Sequence, residues 1–417
     1  MGRILLLSAI AALALDAKVQ ARDLTLPEAE SLLVSNNREL QAARRGMESA
    51  DAQRLIAGAR PNATFSVNAS SINDSNTIDG QKRTADTTFR IDQPFERGNK
   101  RGLRLDAASG LQRAARHDYL DVLRQQVAVL QGAYFDLKLA QEKARTLAEN
   151  AQLFSGTLGA AQRRLQAGDL APADVAKVQV DYERAQNDAR AAQAELARAQ
   201  LALAYLLALD AEALELSATD PWPPFERADA MAIQQAIDAR PDVAAARARV
   251  EAAEKIRDLA RAQRTRDVTI GAQYERWIPG GPPTNSFGLG VSVPLFTGYD
   301  FSGDIQKAEV DRYAALDALA KTRAQAGNEL RRAAGDLNAA AERVERFDAS
   351  LLGAANRSAE ASEFAFSRGA ISVLEVLDAR RTLRAVRLEA LGARADYAKA
   401  LGAWRAAQAS VQALEAK

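Results

Sequence analysis

The sequence predicts a mainly α protein with a small β part, made of a helix–strand–strand–helix unit used twice. Three observations predict it. "QPFERG" at 93–98 is echoed at 293–298 by "VPLFTG", with Pro94 facing Pro294 and Gly98 facing Gly298. Each echo ends a pair of short segments in which apolar and polar residues alternate. That is the period of a strand with one apolar side. Each echo then opens a run of charged, Ala-rich sequence, about Lys100 to Gln166 and about Ser302 to Ser367, in which helical spacing is never broken.

In chain order, "MGRILLLSAIAALALDAKVQARD" sets Arg3 before the apolar run Ile4–Leu15 and ends on small residues, so 1–21 is expected to be a secretory signal peptide, with cleavage after Ala21 or Ala17. The run is too short for a spanning helix of ~20 residues. No cysteine follows it, so a lipid anchor is not expected. The first repeat is expected over 22–208, a connector containing Trp222 over 209–228, and the second repeat over 229–417.

Within each repeat a helix comes first, and "NRELQAARRGMESADAQRLIAGAR" matches "RPDVAAARARVEAAEKIRDLARAQ" at a shift near 203. Strands are predicted at about 63–72, 87–95, 267–276 and 286–296. Phe65, Val67, Phe89, Ile91, Val268, Ile270, Tyr274, Phe287, Leu289, Val291 and Val293 form their apolar faces. Thr64, Ser66, Asn68, Arg90, Asp92, Thr269, Gln273 and Glu275 form the other.

The helix from Lys100 would be ~100 Å long, more than a compact globular domain holds. Its seam runs through Leu120, Leu123, Val127, Leu130, Tyr134 and Leu137, and after the turn "QAGDLAP" (166–172) returns through Val175, Val178, Tyr182, Ala185 and Leu203. The second repeat repeats this, returning through Val376, Leu383, Ala390, Tyr397, Trp404 and Val411. A repeat near 3.5 residues means helices wound round one another. A coiled-coil scaffold without a pore would share these seams, but has no use for paired strands at the same place in both halves.

Composition removes most other functions. The 55 basic and 54 acidic side chains nearly cancel, so no nucleic-acid partner is expected, and without cysteine there is no disulfide frame, thiol nucleophile or soft-metal cluster. No phosphate loop or catalytic triad is visible, so neither an enzyme nor a cofactor is expected. The methionines are Met1, Met47 and Met231, no ladder for copper, and the one histidine, His117, reads as a solvated helix residue.

Four strands of seven to ten residues suit a tilted crossing of an outer membrane, which takes ~9–11 residues each. Four strands cannot close. Open edges in lipid leave backbone groups unpaired, so several chains must share one barrel. Two copies give eight strands with a filled interior; three give twelve and room for a passage.

With these features the chain resembles the TolC-like outer-membrane efflux protein family, the exit ducts of tripartite pumps and type I secretion systems. The resemblance covers essentially all of 24–417 and rests on "LTLPEAESLLVSNNRELQAAR" (24–44), the two Pro-x-x-x-Gly elements, "AIDARPDVAAARARVEAAE" (236–254) and "SRGAISVLEVLDARRTL" (367–383). It implies a homotrimer whose strands make a twelve-stranded transmembrane β-barrel in outer-membrane lipid, whose helices make an α-barrel in the periplasm, and whose inner end meets an adaptor (membrane fusion) protein and an inner-membrane pump. It implies passive conduction, here with heavy-metal cations as the favoured cargo and drug efflux or type I secretion as the alternatives. Asn37-Arg38 departs from the family's usual Asn-Pro, which touches only a local helix start.

The resemblance also places Glu375 and Asp378 of "EVLDA", three apart on one helical face, at the inner mouth as a gate. Six such carboxylates in a trimer would favour cations and respond to protonation or divalent ions. The plainer reading is complementing a helix dipole, worth under about 1 kcal/mol. The turns Gly168, Asp169, Leu170, Ala171 and Gly369, Ala370, Ile371, Ser372 would be adaptor-contact tips, though helix-turn chemistry explains the glycines equally well. Phe65, Phe89, Tyr274, Trp277 and Phe287 are expected as a lipid-facing aromatic belt.

Overall fold

The computed structural model describes residues 22–70, 77–78, 81–82, 86–229, 233–277, 282, 284–368 and 370–415. The expected signal peptide and Gly369 lie outside them. The chain opens with strand β1 (Arg22–Leu24), helices α1 (Leu26–Asn36) and α2 (Arg38–Gly58), strand β2 (Thr64–Ser70), a small hairpin β3 (Thr77–Ile78) and β4 (Gln81–Lys82), and strand β5 (Asp86–Phe95). Helices α3 (Lys100–Gln166) and α4 (Pro172–Leu207) follow, then strand β6 (Leu216–Ala218) and helices α5 (Ile233–Ala239) and α6 (Pro241–Ala262). Strands β7 (Val268–Trp277) and β8 (Thr284–Ser292) precede α7 (Ser302–Arg346), α8 (Leu352–Ser367), α9 (Val373–Gln408) and α10 (Val411–Glu415). A π-helical turn, Phe347–Leu351, joins α7 to α8.

The described residues form two compact units. One comprises Ala43–Asp121 and Ile237–Ala326; the other takes the described residues up to Ala42, Val122–Ala236 and those from Gly327 onward.

The first unit carries a four-stranded antiparallel sheet in the order β2-β5-β7-β8. Strand β8 ends at Ser292, short of the expected 296, because Pro294 has no amide to donate to a ladder. The two Pro-x-x-x-Gly elements are not equivalent. Gly98 has φ +71, and a Cβ there would lie 2.8 Å from Thr265 Cβ, so glycine is required. Nothing approaches the Cβ position of Gly298 within 4 Å, and after the second element the left-handed residue is Phe301, with φ 63. Lys100, only 4% exposed, holds both carboxylate oxygens of Asp267 at 2.9 Å, and the Arg97 amide donates to the same group at 2.9 Å, which ties the start of α3 to the strand that follows α6. Gly110 lets α3 run against α6, where an added Cβ would sit 3.0 Å from Ala252 Cβ.

In the second unit the expected seams are the core. Leu120 stands just before it on α3; within it Leu130, Tyr134 and Leu137 are fully buried, as are Val178, Leu203, Ala393 and Tyr397 on the returning helices. Phe154, Ala161, Val175, Val178, Ala185 and Leu377 form one cluster. The connector is more structured than its prolines suggest. Strand β6 pairs in parallel with β1, Trp222 stacks on Phe135 at 6.0 Å, and the Tyr397 hydroxyl donates to the Pro224 carbonyl at 2.7 Å. The Tyr134 hydroxyl lies 2.9 Å from the Leu24 carbonyl and 3.0 Å from the Asp220 carboxylate, and accepts from the Asp220 amide at 3.1 Å. Burial pushes its phenol up to about 12.

Asn37 answers the question raised by the missing proline. It is 4% exposed, its Oδ1 accepts from the amides of Glu39 at 3.0 Å and Leu40 at 3.1 Å, and its Nδ2 donates to the Leu206 carbonyl at 2.9 Å. A side-chain cap starts α2 here. In the second repeat Arg240 precedes Pro241, which takes the first helical position instead.

Candidate duct wall and inner mouth

The sheet separates its two faces by strict alternation, with no bulge in any of the three ladders. On one face, level rows read Val67, Phe89, Tyr274, Phe287 and then Phe65, Ile91, Ala272, Leu289. This face is bare: Phe287 is 85% and Leu289 89% exposed. Phe89 stacks on Tyr274 with ring centroids 6.3 Å apart, and Tyr274 meets Phe287 at 5.2 Å, so the aromatics run as a band across three strands. Trp277 is a correction to the expected belt. It pairs with Thr284 at an odd position of β7, and alternation places it on the opposite face.

That opposite face carries all eight polar residues the sequence singled out. Thr64 and Asp92 fall in one row with Gly271 and Gly290; Ser66, Arg90 and Gln273 fall in the next with Gly288; Asn68 and Glu275 fall in the third with Thr88 and Ser286. Thr269 lies opposite Ser292 on the same face. Arg90 is held by Asp92 through two bonds, 2.7 and 2.8 Å, and by the Gln273 amide oxygen at 3.2 Å. Ser286 donates to Glu275 at 3.5 Å. Sequence reading missed the glycines of this face, although "FGLGVS" shows one at every second position of β8.

The second unit carries the helix-turn ends. Val376 and Leu377 are buried, so their neighbours Glu375 and Asp378 turn outward, both exposed. Ser372 caps α9 by accepting from the Glu375 amide at 3.4 Å. Among the described residues neither carboxylate makes an ion pair, whereas at the matching turn Asp174 takes Lys177 at 3.3 Å. Behind the acids, α9 is tied to its neighbours by Arg381 to the buried Asp181 at 2.5 Å, Arg384 to Asp188 at 2.8 Å and Arg380 to Glu363 at 2.8 Å.

Of the tips, Gly168 has φ +83 and is exposed with Asp169 and Ala171, while Leu170 turns inward against the Phe154 cluster. Ala370 and Ser372 are exposed and Ile371 is half-buried. His117 differs from expectation: it is half-buried on α3, its Nδ1 shielded from water. Among the described residues no three His, Asp or Glu side chains converge as a metal site, and no helix is long and apolar enough to cross a membrane.

An open sheet with one bare apolar face and one polar face is a segment of barrel wall. Comparison with known proteins agrees. The chain is 26% identical over 379 residues to the cobalt-zinc-cadmium resistance protein CzcC of Cupriavidus metallidurans, covering 89% of this chain and 87% of that one. Its fold matches the Campylobacter jejuni CmeC outer membrane channel with a TM-score of 0.78 at 17% identity, covering 92% of this chain and 85% of that one. It matches CusC, a transmembrane channel former, with a TM-score of 0.74 at 18% identity, over 94% and 93% of the two chains. The model of the outer membrane efflux protein family matches residues 30–209 and 232–414. The chain therefore belongs to the outer membrane efflux protein family.

Proposed function

We propose that the chain is the outer-membrane channel of a tripartite efflux system, and that three copies join their sheets into one twelve-stranded barrel. One observation carries this: among the described residues β2 and β8 each have a partner on one side only, while the sheet between them bares a continuous apolar face. Lipid covers such a face at no cost, but leaves the edge amides and carbonyls unpaired. Since β8 runs antiparallel to β2, an edge-to-edge ring keeps the alternation unbroken at each junction. The polar face then lines a water-filled passage.

In this reading conduction is passive and the energy comes from an inner-membrane pump. The helical unit lies in the periplasm and meets an adaptor protein through the exposed turns Gly168, Asp169, Ala171, Ala370 and Ser372, with Gly369 expected there too. Glu375 and Asp378, outward and unpaired, supply the acidic ring of the inner mouth. Heavy-metal cations are the cargo favoured by the relationship to a cobalt-zinc-cadmium resistance protein.

Extraction of outer membranes tests the assembly. A heat-stable trimer that opens cation-preferring pores in planar bilayers supports the reading, and a water-soluble monomer refutes it. For the cargo, deleting the gene should sensitise cells to cobalt, zinc or cadmium; sensitivity to drugs alone would move the cargo to another class.

A further inference from the structure

We infer that Arg90, Asp92 and the glycine floor beneath them set the charge of the barrel lumen, by folding the guanidinium flat against the wall as a self-neutralised pair. This rests on the duct reading and adds a charge-determining device to it.

A lone arginine in a narrow passage would repel cations. Here each of the three guanidinium nitrogens donates, two to Asp92 at 2.7 and 2.8 Å and one to Gln273 at 3.2 Å. The pair has a seat only because the neighbouring strands lack side chains there. The Cβ position of Gly271 is already filled by the Asp92 carboxylate and lies 2.8 Å from Arg90 Nη2, and that of Gly290 lies 3.6 Å from the same nitrogen. Gly271 and Gly290 face each other across β7 and β8, so the floor spans two strands. Any larger residue at 271 displaces the Asp92 carboxylate first and crowds the guanidinium beside it, so the pair loses its seat. With Arg90 cancelled by Asp92, the acid left uncancelled among these residues is Glu275, one row further along the face. The wall then favours cations.

The chain has no cysteine, so a single reporter thiol gives a clean reading of local potential. Asn68 is exposed on the same face, one row from Ser66, which pairs with Arg90. In intact cells expressing full-length Asn68→Cys protein, labelling rates are compared for a cationic and an anionic methanethiosulfonate that cannot cross membranes. Asp92→Asn unmasks the arginine and should shift the cation-to-anion rate ratio down by about threefold, and Arg90→Gln should shift it up by about as much, for one unit charge two rows or about 13 Å away in a watery passage. The double variant should return to the parent ratio. Single variants that leave the ratio unchanged, or move it the same way, overturn the inference, since a purely structural role has no sign. A parent thiol that impermeant reagents never reach overturns the duct reading itself.

Discussion

Replacing Asn37 by alanine should loosen the start of α2. The side chain makes three hydrogen bonds, to the amides of Glu39 and Leu40 at 3.0 and 3.1 Å and to the Leu206 carbonyl at 2.9 Å. Loss of an N-cap costs about 1 kcal/mol. The bond to Leu206 adds about 1 kcal/mol, and at 4% exposure water does not replace it readily. Together these come to about 2 kcal/mol, or roughly a 30-fold change in a local opening equilibrium. Amide exchange at Glu39 and Leu40, followed by mass spectrometry on detergent-solubilised protein, should accelerate by that factor, while the buried centre of α3 around Leu130 stays protected. Arg38→Pro is the counter-test. Asn37 already has the extended ψ of 129 that a following proline needs, and proline suits the first helical position, so exchange should not accelerate. The exposed pair between Arg38 and Asp210 and the guanidinium's contact with the exposed Tyr205 ring are lost, and such exposed contacts contribute little. Unchanged exchange in Asn37→Ala would refute the capping argument.

Other outcomes follow from the same structure. Glu375→Gln with Asp378→Asn in lipid bilayers should lower cation preference and weaken block by divalent ions; unchanged conductance and selectivity would remove these residues from the gate. Tyr134 is a pH prediction. Its phenol is raised in the fold to about 12, so its stabilising contribution is complete below the unfolded value near 10 and disappears as pH climbs from 10 to 12. Base titration should therefore lower the stability of the wild type across that window, and Tyr134→Phe should show a shallower dependence there. Gly110→Val should part α3 from α6 where an added Cβ already meets Ala252 at 3.0 Å, costing about 1–3 kcal/mol and lowering the melting temperature, while Gly132→Ala, with open space around it, should not.

Much of the fold is legible in the sequence because long amphipathic periods are dictated locally. The seam from Leu120 to Leu137 and the return from Val175 to Leu203 follow from spacing alone, since any partner helix buries the same side chains. The two faces of each strand are legible for the same reason: a period of two leaves no choice. The candidate site is legible only in part. That Thr64, Arg90 and Gln273 share a polar face follows from alternation; that Arg90 lies flat on Gly271 depends on which residue of β7 stands opposite Asp92, and register is not written in either strand by itself. Trp277 has the aromatic character of a belt residue, but the alternation of β7 puts it on the polar face. Leu170 has the turn position of a contact residue, yet it packs on a core cluster of neighbouring α3 and α4 side chains that Leu377, far along the chain, completes.

By itself, then, the sequence determined the duplicated plan, the long helices and the four half-apolar strands, all consequences of side-chain period and local turn chemistry. Tertiary structure alone decided that β5 and β7 join the two hairpins into one open sheet, that β1 and β6 pair in parallel, that Asn37 does the work of the missing proline, and that an arginine in the polar face is cancelled. The strand pairings, the bond from Asn37 to Leu206 and the seat of Arg90 over Gly271 depend on residues far apart in the chain, and only the closing of long loops brings such pairs together.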